Sequence, residues 1–319
     1  MEQNRRIVFM GTPDFAVATL NALVADGSEV CAVVTAPDRP AGRGRQLRAS
    51  AVKERAIELG LPILQPEKLK DPAFIAALEA LDAALYVVVA FRMLPEVVWT
   101  KPALGTVNLH GSLLPAYRGA APINWAVING ETRTGVTTFL IQHEIDTGDL
   151  LLQAELPIGA DDTAGNVHDR LMTIGAGLMV RTVHGLFDGS LRGTPQVIDP
   201  NAPPPIAPKL NNANMHVTFD RPAARVHDHV RGLSPYPGAW CVSMDANGGT
   251  THLKLLRTAL TERSVSQAPG TLVVEGERLF ATCNDCMIEI LELQAEGRKR
   301  MLAAEFLRGT RHVEGSTLS

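Results

Sequence analysis

Apolar runs of strand length alternate with segments of helical periodicity through the first half of the chain. The strand-like runs are Arg6–Met10, Glu29–Thr35, Ala83–Ala90, Gly105–Leu109, Thr134–Gln142 and Leu150–Leu156, and the helical segments are Asp14–Ala25, Ser50–Leu59 and Thr163–Phe187. The run Ala83–Ala90 is continuously apolar, as in a strand buried on both faces of a parallel sheet. Before the first helix, Thr12 is predicted to be the N-cap and Pro13 the first helical residue. The alternation predicts an α/β domain with a mostly parallel, Rossmann-like sheet.

The pattern changes after a segment rich in proline and glycine, Gly189–Pro208, which has the composition of a linker. Beyond it we predict a helix near Pro222–Gly232 and short alternating strands such as Thr251–Leu256 and Met287–Leu293. Such strands are typical of a small antiparallel barrel or sandwich. The predicted organisation is therefore a first domain over residues 1–188, a linker over 189–206 and a second domain over 207–319.

Composition narrows the class of protein. A hydrophobic content of 45% with 20% charged residues is typical of a globular protein. The longest apolar stretch, Ala83–Phe91, is shorter than the roughly 20 residues that a membrane-spanning helix needs. The basic start at Arg5 and Arg6 is not followed by a signal-peptide pattern, so we expect a cytoplasmic protein.

The net charge of −4 argues against a protein that coats nucleic acid indiscriminately. Residues 1–205 carry 17 basic and 22 acidic side chains, whereas residues 206–319 carry 13 basic and 12 acidic ones. A nucleic-acid partner would therefore need a local basic patch.

Two of the four cysteines, Cys283 and Cys286, have the spacing of a redox or metal pair. No second pair or nearby histidine in the sequence completes a zinc set, and the pair lies between two strand-like runs. We expect structural thiols and no bound metal.

The candidate chemistry lies in Asn108, His110 and Asp146. Asn108 and His110 are two residues apart at the end of a predicted strand, so their side chains share one face at the sheet edge where ligands bind. Asp146, in a turn between two further strands, can meet them there. In acyl transfer to an amine, Asn108 would donate to the oxyanion, and His110 would donate a second hydrogen bond and relay a proton. Asp146 would orient the imidazole and favour its cationic form.

These three residues alone predict only an unspecified acyl-transfer or hydrolase site, and a structural histidine is the commoner alternative. A longer signature surrounds them. It reads Asn-Leu-His-Gly-Ser-Leu-Leu-Pro-Ala-Tyr-Arg-Gly-Ala-Ala-Pro over residues 108–122 and Ile-Asp-Thr-Gly-Asp over residues 145–149. This signature resembles that of the formyltetrahydrofolate-dependent transferases.

The resemblance implies a formyltransferase fold, 10-formyltetrahydrofolate as the formyl donor and a catalytic set of Asn108, His110 and Asp146. It also implies a tetrahydrofolate site that includes Ser112, Leu113, Leu114 and Pro115. One departure is that the segment Ala90–Pro95, which borders the folate pocket in the family, is one residue shorter here.

A second resemblance concerns the acceptor. The basic segment Pro37–Arg45 is similar to the inserted loop of the methionyl-tRNA formyltransferases. By composition alone a solvated surface loop is the commoner interpretation. The resemblance implies tRNA contact through Arg39, Arg43 and Arg45, since guanidinium groups bind phosphate bidentately. It further implies an OB-like β-barrel as the second domain, which helps to hold initiator tRNA, and we expect a monomeric enzyme that formylates the α-amine of methionyl-tRNA.

Two alternatives stay open at this point. An amino-sugar nucleotide formyltransferase would use the same donor, and Gly119–Trp125 is also similar to such enzymes, although the basic loop and the second domain disfavour it. A non-catalytic tRNA-binding protein is the other alternative, and the intact Asn108, His110 and Asp146 argue against it.

Overall fold

The computed structural model describes residues 4–41, 46–310 and 313–319. The strands are β1 (Ile7–Gly11), β2 (Val30–Val34), β3 (Arg39–Ala41), β4 (Gln46–Arg48), β5 (Ile63–Leu64), β6 (Leu85–Val89), β7 (Thr106–His110), β8 (Arg118–Gly119), β9 (Arg133–Leu140), β10 (Leu150–Pro157), β11 (Ile206–Ala207), β12 (Ala239–Met244), β13 (Thr250–Leu260), β14 (Leu272–Glu275), β15 (Arg278–Thr282), β16 (Met287–Ala295), β17 (Met301–Leu302) and β18 (Thr317–Leu318). The helices are α1 (Asp14–Ala25), α2 (Ala51–Glu58), α3 (Pro72–Ala80), α4 (Glu96–Trp99), α5 (Pro122–Ile128), α6 (Ala164–Phe187), α7 (Asn212–Met215), α8 (Ala223–Gly232) and α9 (Ala303–Gly309).

The chain folds into two compact units, and neither is a single stretch of sequence. The first unit comprises residues 1–119, 135–156 and 168–206, and the second comprises residues 120–134, 157–167 and 207–319. Two segments that precede residue 168 in the sequence therefore fold with the second unit.

The first unit is built on a sheet with the strand order β10-β9-β7-β6-β1-β2-β5. The neighbours from β7 to β5 pair in parallel, whereas β7 and β9 are antiparallel. Every residue of β1 and β6 is buried, as expected of strands covered on both faces. The predicted α/β class with a mostly parallel sheet is confirmed.

The start of α1 differs from the prediction. Pro13 is the N-cap, with φ −85° and ψ 176°, and no side chain caps the helix, so the assignment of Thr12 as the cap was wrong. The reason is that Pro13 is extended, which delays helical dihedrals until Asp14. The preceding Gly11 allows the tight turn from β1, because a Cβ atom there would lie 2.6 Å from the Cβ of Ala16.

Helix α6 is the longest helix of the described residues, with 24 residues. Neither α6 nor any other helix in the described ranges is long and apolar enough to cross a membrane.

The second unit contains a curled antiparallel half-barrel, which confirms the predicted OB-like architecture. Its strand order is β14-β15-β16-β13-β12-β18, and β17 pairs with β16. Strand β13 shifts register between Leu255 and Thr258, and such a bulge bends a strand and increases its twist. The buried residues of α8 and α9 join those of the strands in one core that includes Val226, Leu255 and Phe306.

The cysteine pair closes the turn between β15 and β16. The backbone N–H of Cys283 donates to the carbonyl oxygen of Cys286 at 3.0 Å. Cys283 is buried, and desolvation raises the pKa of its thiol to about 12. This thiol therefore stays protonated and unreactive at neutral pH.

Candidate active site

Asn108 and His110 lie at the carboxyl end of β7, between β6 and β9. Asn108 is in register with Val88 on one side and with Phe139 on the other. Asn108 is half-buried, whereas His110 is only 6% exposed. Within the residues that the structure describes, no protein group forms a hydrogen bond with the side-chain amide of Asn108. This amide is therefore free to bind a ligand.

Both ring nitrogens of His110 face oxygen atoms. Nε2 lies 2.8 Å from the carbonyl oxygen of Tyr117, and Nδ1 lies 3.7 Å from Oδ2 of Asp146. A carbonyl oxygen only accepts hydrogen bonds, so Nε2 is the donor in the first contact. The second distance is too long for a direct hydrogen bond but within range of an ion pair. The two residues, distant in sequence, are thus brought together.

The turn that carries Asp146 has an unusual backbone. Asp146 has φ 55°, in the left-handed region that Asp and Asn enter more readily than other non-glycine residues. Its Oδ2 accepts a hydrogen bond from the backbone N–H of Gly119 at 2.9 Å. Tyr117, whose carbonyl binds His110, also has a left-handed φ of 60°. Such residues cluster at functional sites, where the surrounding structure enforces them.

Gln196 completes this arrangement, and the sequence did not predict its role. Its Nε2 donates to the carbonyl oxygens of Asp146 and Gly148 at 2.9 and 2.8 Å. Its Oε1 accepts from Nε and Nη2 of Arg118 at 3.2 and 2.6 Å. Both amide hydrogens and the oxygen are therefore used to tie the Asp146 turn to β8. Gln196 lies in the segment interpreted as a linker, and its only signal there is an amide among glycine, proline and apolar residues.

The four residues assigned to the folate site by resemblance form the loop after β7. Ser112 and Leu114 are buried, with exposed fractions of 0% and 3%, whereas Leu113 and Pro115 are half-buried. The Ser112 hydroxyl donates to the carbonyl of Ala116 at 2.6 Å. Ser112 therefore shapes the loop, while Leu113 and Pro115 retain accessible surface.

Two polar side chains hold this loop from the neighbouring strands. Thr137 of β9 donates to the carbonyl of Ser112 at 2.7 Å and accepts from the N–H of Leu114 at 3.1 Å. Gln153 of β10 donates to the carbonyl of Leu114 at 2.9 Å. The loop is thus fixed by its backbone, independently of the Gln196 contacts.

The segment Ala90–Pro95, which is one residue shorter than the family pattern, is held by hydrogen bonds from a side chain to backbone carbonyls. Ala90 turns the chain with φ 46°, and Arg92 donates to the carbonyl oxygens of Pro66 and Glu67. Burial lowers the pKa of the Arg92 guanidinium from its ordinary value. Met93 next to it is 74% exposed.

Of the three arginines expected to contact tRNA, Arg39 is exposed on β3, and Arg43 and Arg45 lie outside the described residues. Strands β3 and β4 form an antiparallel hairpin that was not predicted, because three-residue strands show no periodicity. Lys53 on α2 forms an ion pair with Asp38 at 2.6 Å and lowers the pKa of that carboxyl group. This pair anchors the start of the hairpin.

Within the described ranges, no group of three or more His, Cys, Asp or Glu side chains is arranged to hold a metal ion. The candidate site consists instead of one free amide, one imidazole and one carboxylate.

Comparison with known proteins identifies the family. A family model described as formyl transferase matches residues 5–183, and one described as formyl transferase, C-terminal domain, matches residues 209–311. A methionyl-tRNA formyltransferase of Bacteroides fragilis is 47% identical over 312 residues, which cover 97% of this chain and 96% of the relative. One from Parabacteroides distasonis is 47% identical over 321 residues and covers 99% of both chains.

Solved structures agree at the level of the fold. WlaRD, a sugar 3N-formyl transferase solved in the presence of dTDP and 5-N-formyl-THF, has a TM-score of 0.66 at 17% identity, over 92% of this chain and 98% of that one. HypX from Aquifex aeolicus, in complex with tetrahydrofolic acid, has a TM-score of 0.63 at 16% identity, over 96% of this chain and 47% of that one. With both domain models matched and 47% identity across nearly its full length, the chain belongs to the methionyl-tRNA formyltransferase family.

Proposed function

We propose that this protein transfers the formyl group of 10-formyltetrahydrofolate to the α-amine of methionyl-tRNA, with Asn108, His110 and Asp146 at the reacting centre. The observation that carries the assignment of the site is the amide of Asn108, which has no hydrogen-bond partner among the described residues and stands beside the His110–Asp146 pair. Relatives named methionyl-tRNA formyltransferase, similar along almost the whole chain, support the choice of acceptor.

Asn108 acts on the oxygen of the formyl group. When the amine attacks the formyl carbon, a C–N bond forms and the carbonyl electron pair moves to oxygen. The amide N–H groups of Asn108 stabilise this oxyanion, a type of contact whose removal typically lowers a rate by about 10²–10³-fold.

His110 and Asp146 handle the protons. The α-ammonium group, with an ordinary pKa of about 8, must lose a proton before it attacks, and the folate nitrogen must gain one when its bond to the formyl carbon breaks. We assign the proton transfer to the Nδ1 edge of His110, where Asp146 at 3.7 Å balances the charge of the imidazolium. His110 could reach the oxyanion through Nε2 only by releasing the Tyr117 carbonyl, so Asn108 is the principal oxyanion donor.

The donor would contact the half-buried Leu113 and Pro115, while Ser112 and Leu114 hold the loop in shape from beneath. The loop backbone is already fixed by Thr137 and Gln153, so the folate site is largely preformed. The donor supplies the formyl carbon.

The acceptor would be held by Arg39, Arg43 and Arg45 and by the second domain. We assign catalysis to residues 1–188 together with the segment 189–206, which folds with the first unit and carries Gln196, and we assign tRNA contacts to residues 207–319. Guanidinium groups that bind phosphate oxygens supply affinity without reading sequence. The same proposal implies a monomeric enzyme in the cytoplasm, where charged tRNA is found, and light scattering after size exclusion would check the monomer.

The test is incubation of the protein with methionyl-tRNA and 10-formyltetrahydrofolate. We expect N-formylmethionyl-tRNA, detected as the mass of formylmethionine released from the tRNA. A dTDP-linked amino sugar with the same donor is the matched acceptor control and should stay unmodified. Formylation of the amino sugar without formylation of methionyl-tRNA would overturn the proposal.

A variant tests the arginine loop separately. Arg43→Ala should raise the KM for methionyl-tRNA several-fold and leave the affinity for the folate donor unchanged. Arg5→Ala, which removes a surface ion pair with Asp188, is the control for loss of a positive charge elsewhere. Equal losses for tRNA and folate would contradict a dedicated tRNA role.

A further inference from the structure

The second unit contains an open groove of about 520 Å³ on one face of its half-barrel. Its lining includes Trp240 on β12, His252 and Lys254 on β13, and Gln294 on β16. Small-ligand sites in proteins typically have volumes of about 300–1,000 Å³, so the groove has room for one small planar group and its substituents.

The indole of Trp240 is held in place at the groove. Its Nε1 donates to the carbonyl oxygen of Asn212 at 2.9 Å, so its polar edge is already satisfied. His216 packs against the indole with ring centroids 4.4 Å apart, and the His252 ring centroid lies 6.2 Å from that of the indole. Trp240 nevertheless stays half-exposed and His252 exposed. An indole that is held in place, with an exposed imidazole beside it, is suited to stacking against a planar ligand.

Polar groups stand beside this aromatic pair in register across the sheet. Trp240 is opposite Lys254, and Lys254 is opposite Gln294. Lys254 donates to the carbonyl of Pro237 at 2.9 Å, and Gln294 Nε2 donates to the carbonyl of Arg298 at 2.9 Å. Since an ammonium has three donors and an amide oxygen two acceptor sites, both side chains keep groups for a ligand.

The groove ends in a positively charged turn. Residues Glu296 and Gly297 line it, and Arg298, Lys299 and Arg300 follow directly. Arg300 forms an ion pair with Glu292. The positive charges of Arg298, Lys299 and the nearby Lys254 therefore outnumber the single negative charge of Glu296. The charge at this end suits a phosphate.

We propose that this groove binds one unstacked nucleobase of an RNA. Trp240 and His252 stack on the base, Gln294 hydrogen-bonds its edge, and Lys254 contacts the adjacent phosphate. Unstacked bases are recognised in this way, by aromatic stacking combined with hydrogen bonds and backbone cations. That the occupant is RNA rather than a free nucleotide rests on the proposed function.

The test measures binding of a fluorescein-labelled single-stranded RNA octamer and of the same backbone with abasic residues, by fluorescence anisotropy on the full-length chain. We expect Trp240→Leu to weaken binding of the octamer by about 5- to 100-fold and to leave binding of the abasic chain unchanged. Lys254→Gln should weaken both probes alike and reduce the dependence of log Kd on log salt by about one.

Trp125→Leu is the matched control, because Trp125 is also half-buried in this unit and also donates its indole N–H to a backbone carbonyl, that of Pro208, but does not line the groove. The Trp125→Leu variant should bind both probes with the affinity of the wild type. Thermal unfolding of each variant would show that it is folded. If Trp240→Leu does not fold, His252→Ala replaces it, since His252 is exposed.

Equal affinity for the octamer and the abasic chain, or octamer binding unchanged in Trp240→Leu and His252→Ala, would overturn the proposal. A free nucleotide monophosphate that binds as tightly as the octamer would overturn the assignment to RNA. Both results are separable from the proposed function, because octamer binding requires no catalysis and the formylation assay requires no octamer.

Discussion

The two units each contain a buried histidine in a polar network, and the two networks differ in how completely they are bonded. In the second unit, His227 bonds Thr258 at 2.9 Å through Nδ1 and the carbonyl of Ala160 at 3.2 Å through Nε2. In the first unit, His110 bonds the Tyr117 carbonyl but stops 3.7 Å short of Asp146.

Arg231 extends the network of the second unit. It is buried, forms two contacts with Asp228 at 2.8 and 2.7 Å, and donates to the carbonyls of Gly159 and Asp162. These bonds attach the segment 157–167 to α8 within the unit. A buried polar network of this kind is most favourable when every member is satisfied.

In the network of the first unit, the groups at its centre have hydrogen-bonding capacity that the described residues do not use. The Asn108 amide has no protein partner among the described residues, and the His110–Asp146 distance leaves room for adjustment. The same residue types therefore serve two purposes. A saturated network holds a segment in place, whereas a network with open positions is available to a substrate.

The largest expected effect is on catalysis. Asn108→Ala should lower the rate of formyl transfer by about 10²–10³-fold, because the oxyanion loses its donor. Single-turnover kinetics with methionyl-tRNA would measure it. The matched control is Asn124→Ala, whose amide already donates to the carbonyl of Gly232 at 2.8 Å and so should affect stability, by about 1 kcal/mol, and not rate. A similar rate loss in both variants would contradict the comparison.

The next largest effect concerns the network of Asp228 and Arg231 in the second unit, in which the polar groups are bonded. Arg231→Ala should lower the free energy of unfolding by about 3–5 kcal/mol, because it removes the buried guanidinium that binds Asp228 and two backbone carbonyls and leaves Asp228 only the more distant Arg225 at 4.0 Å. Urea unfolding followed by circular dichroism measures the change. Arg308→Ala breaks an exposed pair with Glu277 and should cost at most about 1 kcal/mol. A loss below 1 kcal/mol for Arg231→Ala would mean that the network contributes little.

A third histidine, His229 on α8, provides a pH test. Its Nε2 is buried and has no partner among the described residues, and desolvation lowers its pKa to about 4. The unfolded chain, with an ordinary pKa near 6.5, binds more protons between these values, so stability falls as the pH drops from about 6.5 to 4. The loss should reach about 3 kcal/mol, and His229→Leu should abolish this part of it. Urea midpoints at pH 7.5, 6 and 5 would measure the slope; an identical slope in the variant would contradict the assignment.

The smallest effects separate two glutamines of the first unit. Gln196→Ala should lower kcat about 10-fold, since the Asp146 turn loses its tie to Arg118, with little change in the KM for the donor. Gln153→Ala should instead raise the KM for the donor several-fold, since it loosens the loop at Leu114. Steady-state kinetics on both substrates would distinguish the two variants. A raised KM for the donor in Gln196→Ala, with a lowered kcat in Gln153→Ala, would contradict these roles.

Long periodic segments were predicted well, and short ones were not. Helix α1 has the predicted range Asp14–Ala25, and α6 begins one residue after the predicted start at Thr163. Helix α3 was not predicted, although Asp71 caps it and Pro72 is its first residue, because its nine residues are too apolar to show one hydrophobic face. The β3–β4 hairpin was missed for lack of length.

The sequence by itself determined that Asn108 and His110 share a face, because side chains alternate along any strand, and its signature determined the family. Only the tertiary structure decided that Asp146 meets His110, that Gln196 holds the Asp146 turn, and that two early segments fold with the second unit. The physical reason is that these features depend on contacts between residues far apart in the chain. Local periodicity carries no information about such contacts.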